Sequence, residues 1–500
     1  MNLFSRITRI ILPVIILIHS VLFIVFWMTN SLFYTETNDY LARMLGLRFD
    51  YISLFLVLSC LIAIWSAVRL ITYKKGWNHR LMTLTSILYF ILGILYLVFF
   101  YGSFWMLFQK SSVQIPRLGQ LLSYYRIFLD ALIILGISVG LGIFVRILYR
   151  RRKETGKKIN LLPSLLAILV VVIVWGAATI NPPGSVYKGE LPAKPLLIAH
   201  RGASMLAPEN TMAAANLAVE LKVYGLETDI HISQDGLPFL LHDDTFERTT
   251  DVATLYPDRI KERAEYFTLA EATILNAGKW FVERDPYKTI KNGQVSQDQV
   301  DQNMLQTIPI LEDELQIVKD NNLAFIYDIK QPPDDQAYAQ NYFEKVIDII
   351  HVVGIDPQVW VLADQQQAEL VRTIAPEMKL AYGVKYQAPP ATDELRSSGY
   401  QIVNSEYGLG EEWIRKYREA GLWINLYTID EPWQYSRLWL LGADSTTSSN
   451  AHMLVALSKP VSSMSYELYL VVWGLVGLAS LGLLLGLILP AYSQVRSPKG

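Results

Sequence analysis

The chain has 500 residues, of which 52% are hydrophobic and 18% charged, with a formal net charge of −2. Soluble domains carry roughly 25% charged residues, so the deficit points to membrane-embedded segments, and the lack of a basic excess excludes a nucleic-acid binder. The single cysteine, Cys60, excludes a disulfide framework or a cysteine metal site within one chain.

A helix needs about 20 apolar residues to cross the hydrocarbon core, because every backbone polar group must be satisfied internally there. Six stretches qualify: 10–28, 51–71, 81–107, 127–148, 161–180 and 466–489. Positive charge collects at Arg6 and Arg9, at Arg69, Lys74, Lys75 and Arg80, in "RRRKETGKK" from Arg150, and at Arg496 and Lys499. If the six spans alternate, all of these fall on one side. The preference of Lys and Arg for cytoplasmic loops then puts both termini in the cytoplasm and the long 181–465 segment outside an integral plasma-membrane protein. The expected organisation is a membrane domain of five helices over 1–182, a catalytic domain over 192–458 with an insertion at about 245–310, and a sixth helix over 466–489.

After the connector "NPPGSVYKGELPAKP", short apolar runs start at 195, 225, 324, 359, 380, 401, 423 and 443. Most are separated by enough chain for a crossover helix. Eight such units predict an α/β domain, a (β/α)₈ TIM barrel, with its chemistry at the carboxyl ends of the strands. "GLETDIHISQDGLPFLLHDD" interrupts the alternation, since "SQDG" is too short for a crossover and must turn back as a hairpin. A turn centred on Asp235 and Gly236 sets His242 opposite Asp229, and one residue more or less in the loop sets it nearer Glu227. Asn210 is expected to cap the helix that starts at Thr211. The polar stretch 285–306 reads as a solvated insertion placed to cover the mouth as a lid.

Glu227 and Asp229 are two apart on a strand, so they share a face, and Asp328 ends another strand. Three converging carboxylates repel unless a cation joins them, and oxygen donors favour one hard divalent ion, Ca²⁺ or Mg²⁺. His200 and His242 can divide the base and acid roles that phosphodiester cleavage needs. Arg201 and Lys330 supply positive charge for the phosphate.

The stretches "HRGASMLAPENT", "ETDIHISQDGLPFLLHDDTFERTT", "LNAGKWF", "IPILEDEL", "YDIK" and "GADSTTSSN" follow one another in the order seen in the glycerophosphodiester phosphodiesterase family, which this chain resembles from about 196 to 457. The resemblance implies a phosphoric diester hydrolase that releases glycerol phosphate and an alcohol. It also implies His200 and His242 as catalytic acid and base, Glu227, Asp229 and Asp328 as metal ligands, Arg201 on the phosphate and Glu209 in the same site. The third ligand is usually Glu, and Asp328 has a shorter reach. The family's reaction is thought to begin with attack by a neighbouring substrate hydroxyl, giving a cyclic phosphate. The layout is similar to the branch whose catalytic domain lies outside the cell between the fifth and sixth helices. A phospholipase C- or D-like enzyme, one that cleaves glycerophosphoinositol or glycosylphosphatidylinositol anchors, and a silent receptor or scaffold are the competing readings. The expected partners are a glycerophosphodiester or lipid headgroup and the membrane lipids.

Overall fold

The structure is a computed structural model that describes residues 10–29, 50–72, 88–97, 120, 123–155 and 160–496. Nine strands form its main sheet: β1 Leu196–His200, β2 Gly225–Ile232, β3 Pro238–Leu240, β4 Ala324–Ile329, β5 Val359–Leu362, β6 Lys379–Val384, β7 Ile402–Glu406, β8 Trp423–Tyr427 and β9 Ser445–Ser448. They are ordered β1-β9-β8-β7-β6-β5-β4-β2-β3, and a further pairing of β1 with β2 closes eight parallel strands into a barrel. Every one of the eight runs read from the sequence lies on a barrel strand. Strands covered on both sides need near-continuous apolar residues, and β5, Val-Trp-Val-Leu, is buried along most of its length.

The ninth strand, β3, is the returning arm of the hairpin, antiparallel to β2. Its register differs by one residue from a turn centred between Asp235 and Gly236. Ile230 pairs with Leu240 and Ile232 with Pro238. Ser233 N–H also bonds Leu237 O at 2.9 Å. The loop therefore holds three residues, Gln234, Asp235 and Gly236, with Gly236 at φ +78° as a three-residue hairpin requires. His242 consequently lies opposite neither Asp229 nor Glu227 on a strand but beyond the end of β3.

Helix Met212–Glu220 follows β1 and is capped by Thr211, whose hydroxyl accepts from Ala214 N–H. Such a cap stabilises a helix by about 1 kcal/mol. The residues between β3 and β4 form a satellite core of Phe239, Leu241, Phe246, Phe267, Leu275 and Ile308. Residues 285–306 are stitched to the loop after β1 rather than solvated throughout: Thr289 Oγ1 bonds Met205 O at 2.7 Å and Asn303 Nδ2 bonds Leu206 O at 3.1 Å. Both side chains are buried.

Among the described residues, four helices are long and apolar enough to cross a membrane: Ser53–Leu70, Arg126–Glu154, Leu162–Ile180 and Tyr466–Ser493. The first expected span coincides with the 18-residue apolar helix Leu12–Thr29. The third overlaps the shorter helix Leu88–Leu97, and the rest of that span lies outside the described residues. So do the charged flanks Arg6, Arg9, Lys74, Lys75, Arg80, Lys157, Lys158 and Lys499.

The chain divides into two compact units, one of 1–116, 199–359 and 448–451, the other of 117–198, 360–447 and 452–500. In the first, Leu12 and Ile16 pack with Tyr89, whose hydroxyl bonds Ser66 at 2.6 Å. In the second, helices Arg126–Glu154, Leu162–Ile180 and Tyr466–Arg496 share a core of Ile134, Val145, Val171, Tyr469, Trp473 and Leu484. Trp175 and Trp473 exchange indole-to-carbonyl bonds of 2.8 and 3.0 Å. In lipid such bonds matter because no water is present to take their place.

Candidate active site

The site grows from the end of β1. Arg201 and Gly202 follow it in left-handed backbone conformations, φ +56° and +76°. Gly202 is required on a second ground, since a Cβ there would lie 2.6 Å from the backbone carbon of Ala214. The turn thus packs directly on helix Met212–Glu220, and Arg201 N–H bonds Glu227 O at 2.7 Å. This His-Arg-Gly turn presents an imidazole and a guanidinium at the barrel rim.

The acids come from β2 and β4. Asp229 and Asp328 are direct partners in the parallel ladder, so their side chains lie next to each other, with Glu227 two residues back on the same face. Lys330, two residues beyond Asp328, places its ammonium 2.8 Å from Asp229 and 2.6 Å from Asp328. Arg201 Nε stands 3.1 Å from the other Asp229 oxygen. Asp229 is almost fully buried. Burial alone would raise its carboxyl, but Arg201 and Lys330 overcome that and hold it below the usual carboxylate range. Glu227 goes the other way. Burial, and then repulsion from Asp229, push it well above the ordinary value despite Arg201. The two acids of β2 are therefore held in different electrostatic settings.

His200 Nε2 stands 3.8 Å from Glu227, and its Nδ1 is hydrogen-bonded to Ser449 Oγ at 2.9 Å. Burial, then the adjacent Arg201, push the imidazole down to about 3. His242 Nδ1 is hydrogen-bonded to the Asp243 carboxylate at 2.7 Å, and its side chain is partly open to solvent. Each histidine thus has its Nδ1 engaged, which fixes the ring and frees Nε2 for chemistry.

Glu209 accepts from Arg201 at 2.9 Å and from Arg248 at 2.6 and 3.0 Å. Its carboxylate is taken up by the two guanidinium groups, which it holds together. Asn210 is not the helix cap; Thr211 is. Instead Asn210, at φ +52°, donates to Asp229 at 3.1 Å and accepts from Thr228 Oγ1 at 2.9 Å. It braces the acid strand from the loop after β1. His231 is fully buried and bonds Glu265 at 2.9 Å, which makes it part of the hairpin's packing. Arg248, Asp243, Ser449 and Asn210 are the site neighbours that residue patterns alone did not single out.

A donor set made only of carboxylates suits a hard divalent ion. Glu227 is raised by burial and by repulsion from Asp229 and Asp328, which Arg201 only partly counters. The residue types fit such an ion. Among the described residues, however, no three ligand side chains are arranged to hold an ion as they stand. Lys330 places its ammonium on oxygens of both Asp229 and Asp328.

Comparison with known proteins gives the family of the chain. The model of the glycerophosphoryl diester phosphodiesterase family matches residues 200–452. The chain is 30% identical over 467 residues to glycerophosphodiester phosphodiesterase domain-containing protein 5 of Gallus gallus, covering 90% of this chain and 74% of that protein. It is 32% identical to the Homo sapiens protein of the same name, over 68% of this chain and 55% of that one. It is likewise 32% identical to the Mus musculus glycerophosphoinositol inositolphosphodiesterase GDPD2, over 68% of this chain and 62% of that one. The chain belongs to the glycerophosphoryl diester phosphodiesterase family, whose members are phosphoric diester hydrolases.

Proposed function

We propose that the chain is a membrane-anchored enzyme that hydrolyses glycerophosphodiesters to glycerol phosphate and an alcohol on the extracytoplasmic side, with both termini in the cytoplasm. Its catalytic domain spans 192–458, between membrane helices over 1–182 and a last one over 466–489. The observation that carries this reading is the crowding of three acids, two cations and a histidine at the ends of β1, β2 and β4. Lys330 joins Asp229 to Asp328 there, and His200 stands 3.8 Å from Glu227.

Arg201 and Lys330 bind the phosphoryl oxygens, Arg201 held in place by Glu209. Glu227, Asp229 and Asp328 would hold one divalent cation, Ca²⁺ or Mg²⁺. When bound, that ion polarises a phosphoryl oxygen and offsets the charge that develops there. One of His200 and His242 takes the proton of the substrate's neighbouring hydroxyl as its oxygen bonds to phosphorus. The other gives a proton to the alcohol oxygen as its bond to phosphorus breaks. Water then opens the resulting cyclic phosphate with the two roles exchanged, which returns both imidazoles to their starting states.

The test is an assay of the purified full chain on a panel of glycerophosphodiesters, with EDTA and with Ca²⁺ or Mg²⁺ restored. Free glycerol phosphate, lost with EDTA and recovered with one ion, is the expected outcome. Free glycerol with a phosphorylated alcohol, or a stable cyclic phosphate, as the final product overturns the reaction, and activity indifferent to EDTA overturns the ion.

A further inference from the structure

His242 and Arg201 come from different parts of the chain, yet a short set of ion pairs joins them. Asp243 Oδ1 bonds His242 Nδ1 at 2.7 Å. Arg248 Nε bonds Asp243 Oδ2 at 2.6 Å and Arg248 Nη2 bonds Asp243 Oδ1 at 2.9 Å. The same guanidinium bonds both oxygens of Glu209, at 2.6 and 3.0 Å, and Glu209 in turn accepts from Arg201 at 2.9 Å. Arg201 completes the path by standing 3.1 Å from Asp229.

We propose that Arg248 is a positioning residue that locks the orientation of His242 to that of the phosphate-binding Arg201 by gripping Asp243 and Glu209 at once. Only a planar fork with several donors meets two carboxylates in this way; an ammonium is a point charge without that geometry. Both carboxylates respond. Burial would raise Glu209, but hydrogen bonds from Arg248 and the charge of Arg201 hold it below the ordinary range. Burial would likewise raise Asp243, and its bonds to His242 and Arg248 hold it well below the ordinary range. Without Arg248, Asp243 and Glu209 would lose the cation they share, and Asp243 would be free to swing away from Glu209 and take His242 with it. The imidazole would then lose its fixed placement relative to Arg201, while substrate could still reach Arg201 and Lys330. The four side-chain hydrogen bonds of Arg248 all go to these two acids.

This role presupposes the phosphodiesterase reading of His242, so His242→Ala is measured beside it. The experiment uses the full chain in detergent or nanodiscs and determines kcat and KM separately for wild type, His242→Ala, Arg248→Lys, Asp243→Asn and the Arg248→Lys/Asp243→Asn pair. Loss of activity in His242→Ala upholds the reading; if activity persists, both the reading and the role of Arg248 fall. With that loss established, Arg248→Lys is expected to lower kcat roughly 10- to 100-fold, the range typical of outer-shell partners, with KM little changed. The double variant is expected to lose little more than the worse single one, because both changes break the same link. A kcat close to wild type in Arg248→Lys, a change confined to KM, or losses that multiply in the double variant overturns the proposal alone. If Arg248→Lys does not fold, Asp243→Asn keeps the side-chain shape and gives the same kcat-against-KM test.

Discussion

Two groups of barrel strands carry polar side chains of opposite kinds. At the ends of β1, β2 and β4, and in the loops after them, the polar groups are ionisable: Arg201 and Lys330 pair with Asp229 and Asp328 across short distances, and Glu227 lies 3.8 Å from His200. Asn404 of β7, Asn425 of β8 and Ser445 and Thr447 of β9 form a neutral group. Asn425 Nδ2 donates to Asn404 at 2.7 Å and to Thr447 at 2.9 Å, and its carbonyl oxygen accepts from Ser445 at 2.9 Å. Asn425 is completely buried and spends both amide hydrogens and its oxygen on these partners, so it ties the three strands together. The charged set is different. Glu227 is driven well above its ordinary value by burial and by Asp229, so folding alone leaves it unsettled. Perturbed groups of this kind mark chemistry, whereas satisfied ones mark scaffolding.

The sharpest way to break the comparison is to remove an imidazole. His242→Ala is expected to lower kcat/KM by about a thousandfold or more while the thermal midpoint stays near that of wild type, as befits a side chain that takes little part in the core. A stability loss with activity retained per folded molecule would move His242 to the scaffold class.

Next in size is a buried ion pair on the charged side that does no chemistry. Glu265 is fully buried between His231 and Arg263. Burial would raise it, but the hydrogen bonds from those two residues hold it down to about 2. A depressed carboxyl stabilises the fold fully above its unfolded value near 4.5 and loses that contribution as pH falls through about 2. The amount is about 3 kcal/mol at neutral pH. Melting wild type and Glu265→Gln side by side should show a gap in Tm at neutral pH that closes in acid. A gap independent of pH would assign the effect to packing.

Much of this was legible in advance. All eight barrel strands follow from alternation, turn residues and strand ends, which are local signals, and the same signals set Glu227, Asp229 and Asp328 on two neighbouring strands. The hairpin register did not follow, because Asp235 and Gly236 are compatible with either a two-residue or a three-residue loop, and Ser233 pairing with Leu237 decides it. Asn210 also escaped, since an Asn before a helix most often caps it, and only the approach of β2 shows that it braces Asp229 instead. Arg248 and Asp243 sit in "HDDTFERTT" among several charges that are indistinguishable by spacing. What separates them is which carboxylates the fold brings within reach, a tertiary fact with no periodicity.

A smaller effect is expected on the neutral side. Asn425→Ala leaves the partners Asn404, Ser445 and Thr447 with unmet hydrogen bonds, at a cost of about 1–3 kcal/mol. Activity measured on the remaining folded protein should be close to wild type. A selective fall in kcat would place Asn425 among the chemical residues and erase the contrast between the two strand groups.

The smallest effect separates distance from worth. Lys261 and Glu247 approach to 2.6 Å, the same separation as Arg248 and Asp243. Lys261 is 79% exposed, however, against 38% for Arg248. An exposed pair gains little over its hydration, must order two long side chains and is screened by salt, so it contributes at most about 1 kcal/mol. Lys261→Ala should therefore leave both kcat and the thermal midpoint nearly unchanged, and raising the salt concentration should erase any remaining difference. The Arg248 pair has no such freedom: its guanidinium already serves two carboxylates, one of them nearly buried, and salt cannot supply a substitute with its geometry. If added salt weakened wild-type activity and the Arg248→Lys variant alike and to the same level, short ion pairs at the rim would be interchangeable, and the charged strands would owe their role to net charge rather than to the placement of particular groups.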